Sequence, residues 1–458
     1  MSQGNFFAYF VMAIFPLVAN VLFRKLSIYQ AVICTIVIGY LFLPVRTWFD
    51  PPIGPHIDKY TLSSLVALFF ACLYSRKRPE ILPQSSALKF LLILFVVSPV
   101  FTGFLNQNPL VYGYRTLPGI DMLSGAGISA LALQFFVIVP FIAGRQYVNS
   151  EESLTAFLKI LSIAGIAYTL VVLWEVRMSP RLHSQIYGYF PHVFAQQIRQ
   201  DGFRSAAFIG HGLRTSMFLL VAFTATLFLA KQKITLFGIK ASHLAIYLFV
   251  VIILNKSLAV AVYATAATMF TLFLSDRARR TSLILVCMLV VVYPVVRGSV
   301  FFPEEGLINL SLMHSAERAE SLEFRFKNEN ALLEKAQQKP IFGWGGYGRN
   351  RIFNERGDDI SVTDGDWILS LGISGWVGFL AKYCLLVLPI FMSIKASIVY
   401  GSYQKETIFL SCILSLVLAN TLVNSEIAPW AWLICGSLVG FSERVRTEAQ
   451  KLRYAEKV

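Results

Sequence analysis

Apolar residues run along most of this chain in long blocks separated by polar connections. A helix needs about 20 apolar residues to cross the hydrocarbon core of a bilayer, and shorter ones cross with partners. By that rule the pattern predicts about thirteen spans: Phe6–Phe23, Tyr29–Val45, Tyr60–Tyr74, Leu88–Phe104, Ile128–Ala143, Leu154–Val176, Leu213–Ala230, Ala241–Leu254, Leu258–Leu274, Ser282–Val296, Trp367–Phe391, Thr407–Leu422 and Ile427–Phe441. The expected fold is therefore an all-α integral membrane protein of about 12–14 transmembrane helices, one polytopic domain over residues 1–458. The N-terminus lacks the basic stretch and small-residue cleavage site of a secretory signal, so Phe6 onward reads as a retained first span.

Orientation follows from Lys and Arg in short loops, which resist translocation. One alternate set of connections holds Arg24 and Lys25, Arg76 to Arg78, Arg145, Lys231 and Lys233, Arg277 to Arg280, Lys395 and Lys405, and a basic tail. That set is expected to be cytoplasmic. The other set has acid-balanced short loops, with a lone Glu426 in the last, and three long ones: Leu105–Gly127, Arg177–Gly212 and Arg297–Asp366. These are expected to face outward, with the N-terminus outside and the C-terminus in the cytoplasm.

The longest connection, 297–366, has structure of its own. Ala319, Leu322, Phe326, Leu333 and Ala336 fall near helical spacing, which predicts an amphipathic helix over 315–338 lying on the spans or the bilayer surface. Pro340 ends it, and Gly343, Gly345, Gly346 and Gly348 make a tight turn around Trp344 and Tyr347. On that helix Arg325 is spaced to pair with Glu329. The turn could cradle a phosphate, although it does not match the phosphate-loop pattern and helix-ending glycines are commoner.

Composition sharpens the class. The 458 residues are 56% hydrophobic and 14% charged, against about 25% charged in soluble domains. The six cysteines sit in apolar runs without a CxxC pair, so neither a structural disulfide nor a zinc site is expected. The formal charge of +14 is spread over loops between spans, which argues for topology-setting charges and against nucleic acid.

The run from Leu254-Asn255-Lys256-Ser257 through the Arg325 helix to Pro340-Ile341-Phe342-Gly343-Trp344-Gly345, followed by Gly375-Trp376-Val377-Gly378, resembles the O-antigen ligase and polymerase superfamily. The similarity covers about Gly202 to Leu380, and the Pro-x-x-Gly-Trp-Gly turn is its most specific piece; PFIAGR ending at Arg145 looks like the family's usual end to an earlier span. The resemblance implies a GT-C-like glycosyltransferase that acts on undecaprenyl-diphosphate-linked oligosaccharides at the outer face of the bacterial inner membrane. It also implies membrane lipids, a chain-length regulator and a flippase of the same pathway as partners. Carried over, the family's diphosphate-binding cations fall on Arg204, Lys256 and Arg325. The histidine that ligases place about three helical turns ahead of the Gly375 glycine is Asp364 here, which favours a polymerase over a ligase. The Pro-Asn pair that usually follows the first arginine is replaced by Gly210-His211-Gly212, leaving His211 and Arg214 as rivals to Arg204.

Transfer from a lipid diphosphate needs fixed cations around the leaving group and a base for the acceptor hydroxyl. Arg204, Lys256 and Arg325 lie on three outward connections and could converge. Asp364 and Asp366 are the candidate bases, with Glu175 in reserve, and an aspartate before a helix also suits the helix N-terminus as a cap. No cofactor and no metal are expected, the cations taking that place. Lys382 would lie about 22 Å along a straight helix from Trp367, with no partner legible. A transporter of lipid-linked sugars is the reading from another class, disfavoured because the polar groups gather in outer loops and no repeated halves are visible; a nonenzymatic assembly subunit is the last.

Overall fold

In hydrocarbon a chain must satisfy its own backbone hydrogen bonds, so apolar blocks of this length fold as helices. The computed structural model describes residues 4–52, 54–121, 125–199, 202–299, 302–313, 315–399, 405–425 and 427–455, so Glu426 lies outside the described residues. The helices run α1 Phe6–Lys25, α2 Ile28–Phe42, α3 Lys59–Ser75, α4 Ser86–Phe104, α5 Gly125–Tyr147, α6 Glu151–Met178, α7 Leu182–Tyr187 and α8 Gly212–Lys231. They continue with α9 Ala241–Leu254, α10 Leu258–Leu272, α11 Asp276–Arg297, α12 Glu304–Leu312, α13 Ala316–Gln337, α14 Asp366–Val399, α15 Lys405–Asn420 and α16 Pro429–Ala455.

A helix stands at each of the thirteen apolar blocks, and the chain is an all-α, multi-pass membrane protein. Fewer helices than expected are span-length. Among the described residues seven are long and apolar enough to cross a membrane by length and composition, and α2, α3, α9 and α10 are apolar but shorter. The shortfall is partly a matter of turns. The 14-residue α9 and 15-residue α10 are joined through Asn255-Lys256-Ser257, so neither reaches the length of a lone span. Helix α8 is buried along nearly its whole length and packs against α6, α9, α10 and α15, as befits a helix apolar on every side.

The three long connections meet at one end of the bundle. The hairpin of β1 Leu110–Tyr112 and β2 Arg115–Leu117 in the first touches the third, where the Tyr114 amide donates to the Arg356 carbonyl at 3.2 Å. Buried Arg349 of the third donates to the carbonyls of Pro118 and Asn108 in the first, at 2.7 and 3.0 Å. At the opposite end Arg145 donates to Glu443 at 2.8 Å and to the Glu80 carbonyl at 2.9 Å, a buried cluster that ties α5 to α16.

Two features of the third connection depart from expectation. Glu329 does not pair with Arg325. It takes the buried Arg297 at 2.9 Å, which also holds Glu304 at 2.7 Å, so one guanidinium pins α12 and α13 to the end of α11. Nor is α14 one continuous span, because it breaks at Gly375, whose φ of 61° belongs to the left-handed region. A straight helix would hold Asp366 and Lys382 about 24 Å apart; here they touch at 2.7 Å, so the two halves fold together across the break. The glycine-rich turn fits into it. The amides of Trp344 and Gly345 donate to the carbonyls of Gly372 and Ile373 at 2.8 and 2.9 Å, and the Trp376 amide donates to Pro340 at 2.7 Å. A Cβ on Gly375 would strike the backbone of Ile341. The turn therefore spends its N–H groups on the broken helix and has none at Trp344 and Gly345 for a phosphate.

Candidate functional site

Where the second and third connections face each other lies a cavity of about 780 Å³. Among the described residues Arg199, Arg204, Arg214, Arg325 and Arg351 line it, with His192, His211 and the carboxylate of Asp364. Polar groups of the α15–α16 turn, Asn420 and Asn424, close another side.

The arginines of the second connection are placed by a short hairpin. Strands β3 Ile198–Arg199 and β4 Gly202–Phe203 pair antiparallel, so Arg199 and Arg204 flank one structure. Arg204 is 7% exposed and donates from Nη2 to the Lys256 carbonyl at 3.1 Å, while its Nε is buried without a partner among the described residues. Burial, helped by the charge of Arg199, pulls its pKa down to about 10, which leaves it charged at neutral pH.

Behind Arg204 stands Glu175, fully buried. Its Oε2 accepts from Ser205 Oγ at 3.0 Å and from the amides of Ala206 and Ala207 at 3.0 and 2.6 Å, and its Oε1 accepts from the Leu182 amide at 3.0 Å. Such a saturated carboxylate holds the backbone after Arg204 and has no lone pair aimed at the cavity. The reserve base is therefore a structural anchor. Lys256 likewise stands off the cavity wall. Its ammonium donates to the Arg199 carbonyl at 3.2 Å and its own carbonyl takes Arg204, so it braces the arginine hairpin where phosphate binding was expected.

His211 precedes α8 and caps it, its Nδ1 accepting from the Leu213 amide at 3.2 Å, which puts the imidazole proton on Nε2. Burial, then His192 and the surrounding arginines, pushes its pKa down to about 3. Its ring meets His192 edge-on at 4.5 Å between centroids, and burial with Arg46 and Arg214 lowers the pKa of His192 as well. Both imidazoles are neutral at pH 7. Arg214 enters from the first turn of α8 and reaches the Tyr60 hydroxyl at 3.5 Å.

From the third connection come Arg325 on α13 and Asp364 just before α14. They form an ion pair at 3.6 Å, with side chains 45% and 43% exposed. The expected helix cap is absent from this picture: α14 starts two residues later, and Asp364 turns to Arg325. Asp366 goes the other way. Both of its oxygens accept from Lys382 at 2.7 Å, and Tyr383 and Ser370 add hydroxyls at 3.0 and 3.2 Å. It is buried inside the bundle off the cavity wall, so it cannot serve as a base there, and it supplies the partner that Lys382 lacked in sequence.

Arg199, Arg351 and His192 are among the wall residues that sequence reasoning passed over. A signal existed for the arginines: they lie on connections that the distribution of Lys and Arg leads one to expect on the outer side, where each needs a reason to be there. Among the described residues no group of three His, Cys, Asp or Glu side chains converges as metal ligands, and the formal Asp364–Asp366 pair diverges. The arrangement can hold a multiply charged anion beside the accessible carboxylate of Asp364. Compared with protein-family models and with curated proteins, the chain matches none.

Proposed function

We propose that this protein is a polysaccharide polymerase, a GT-C-like glycosyltransferase of the bacterial inner membrane. It moves a growing glycan from one undecaprenyl diphosphate onto a lipid-linked repeat unit, with the cavity open to the outer face and the C-terminus in the cytoplasm. The observation that carries this reading is the cavity wall, where among the described residues five arginines stand against one lining carboxylate, at the end of an apolar bundle where a lipid headgroup would sit. Arg204, Arg214 and Arg325 would clamp the donor's diphosphate through bidentate hydrogen bonds. Asp364 would take the proton of the acceptor hydroxyl as that oxygen bonds to the anomeric carbon. The bond from the anomeric carbon to the phosphate oxygen breaks, its electron pair passes to the diphosphate, and the arginines meet the charge that develops there. The cavity's polar groups gather at one end of the bundle, which supports transfer over transport.

The reading is tested by binding. A labelled polyprenyl diphosphate should be retained by the purified protein, be displaced by inorganic pyrophosphate, and bind less well as salt rises. Arg204→Gln and Arg325→Gln should each weaken it at least about tenfold. Equal retention by both variants would remove the cavity as the diphosphate site.

A further inference from the structure

Asp366 has no place in the cavity, yet it is the more tightly held of the two aspartates. Its carboxylate is filled by Lys382, Tyr383 and Ser370, and its amide donates to the carbonyls of Thr421 and Asn424 at 2.8 and 3.0 Å. Two anchors thus fix one residue. The side chain ties the start of α14 to the helix beyond the Gly375 break, and the amide ties it to the α15–α16 turn, whose Asn420 and Asn424 line the cavity. One residue separates this double anchor from Asp364.

Capping or stabilising α14 does not require a salt bridge to a residue beyond the break. Apolar side chains of similar volume commonly replace a buried ion pair without loss of stability, whereas an ion pair imposes one geometry. We propose that Asp366 and Lys382 are positioning residues: their largely buried pair sets the entry of α14 so that the Asp364 carboxylate stands in the cavity opposite Arg325. The chemical consequence rests on the reading of Asp364 as the base, but the placement does not. Lys382, a charged residue within the apolar α14, thereby acquires a role through Asp366 rather than through substrate.

The test reads placement and turnover separately. Arg325→Cys and Asp364→Cys, introduced together, are cross-linked in the purified full-length protein by a short bifunctional thiol reagent, with and without Asp366→Asn/Lys382→Met. Cross-linking should fall severalfold in the doubly neutral background. With Arg325 and Asp364 intact, Asp366→Asn/Lys382→Met should lower kcat by about tenfold or more at nearly unchanged KM, because small displacements of a reacting group are costly. Lys382→Arg, which keeps the charge, should restore most of it. If the doubly neutral protein does not fold, Asp366→Glu keeps the pair but lengthens it by one methylene, and it should lower both readouts. Unchanged cross-linking, or full kcat, in a folded Asp366→Asn/Lys382→Met or Asp366→Glu protein overturns the proposal. Reduced cross-linking in a protein whose wild type transfers no glycan would uphold the placement while refuting the proposed function.

Discussion

Replacing Asp364 by Asn separates chemistry from structure at the cavity. The carboxylate faces Arg325 at 3.6 Å with both side chains nearly half exposed, and exposed pairs of this kind contribute about 0–1 kcal/mol. Asn has nearly the same volume, so folding stability should change by less than about 1 kcal/mol. Removing a negative charge from an arginine-lined wall should leave binding of a lipid diphosphate unchanged or slightly tighter. Turnover is another matter. Loss of a general base costs about two to four orders of magnitude, or about 3–5 kcal/mol on the barrier at 1.36 kcal/mol per decade. The assay is polymer formation from a lipid-linked repeat unit by purified, reconstituted protein, run beside thermal unfolding and retention of labelled lipid. A normal melting curve, normal retention and polymer reduced by those orders of magnitude is the expected outcome. Full-rate polymer synthesis by the Asp364→Asn protein would refute the reasoning and turn attention to the imidazoles of His192 and His211, which line the same cavity.

Glu175→Gln places an amide NH2 against N–H donors on one side or the other of the carboxylate, so the folded protein should lose about 2–3 kcal/mol in thermal or denaturant unfolding, and pyrophosphate binding should weaken as Arg204 loosens. Gly375→Ala combines a left-handed backbone with a collision against Ile341, and should abolish the folded form as judged by size-exclusion chromatography of detergent-solubilised protein. His211 takes up its proton at pH 6.5 when unfolded and at about 3 when folded, so between those values the unfolded chain binds more protons and stability declines as pH falls. His211→Asn keeps a capping side chain and should flatten that part of the stability profile.

The helices were legible because a long apolar block in lipid has one backbone solution, and the common end of the long connections was legible because Lys and Arg mark alternate loops. What sequence could not give was the break in α14. The Trp367–Phe391 run reads as one continuous helix, and Gly375 alone does not announce that a turn 30 residues earlier, at Gly345, docks on Ile373. The error then propagated to the site. With α14 straight, Asp366 faces outward beside Asp364 and Lys382 has no partner; with α14 broken, the two aspartates part. Glu175 misled for a related reason, since a buried carboxylate looks the same in sequence whether it awaits a proton or is saturated by backbone amides from a loop about 30 residues downstream. Arg204 and Arg325 were found through resemblance, whereas Arg351 and Arg199 came to the cavity through tertiary folding alone.

The most direct test of transfer from a lipid diphosphate is to incubate the purified protein in proteoliposomes with a lipid-diphosphate-linked repeat unit and resolve the products by size. A ladder of lipid-linked glycans growing one repeat at a time, lost in Asp364→Asn and in Arg325→Gln, is the predicted result. Transfer of glycan to a different acceptor without a ladder would mark a ligase. Labelled lipid-linked sugar crossing the vesicle bilayer with no new glycosidic bond would contradict the assignment as a transferase.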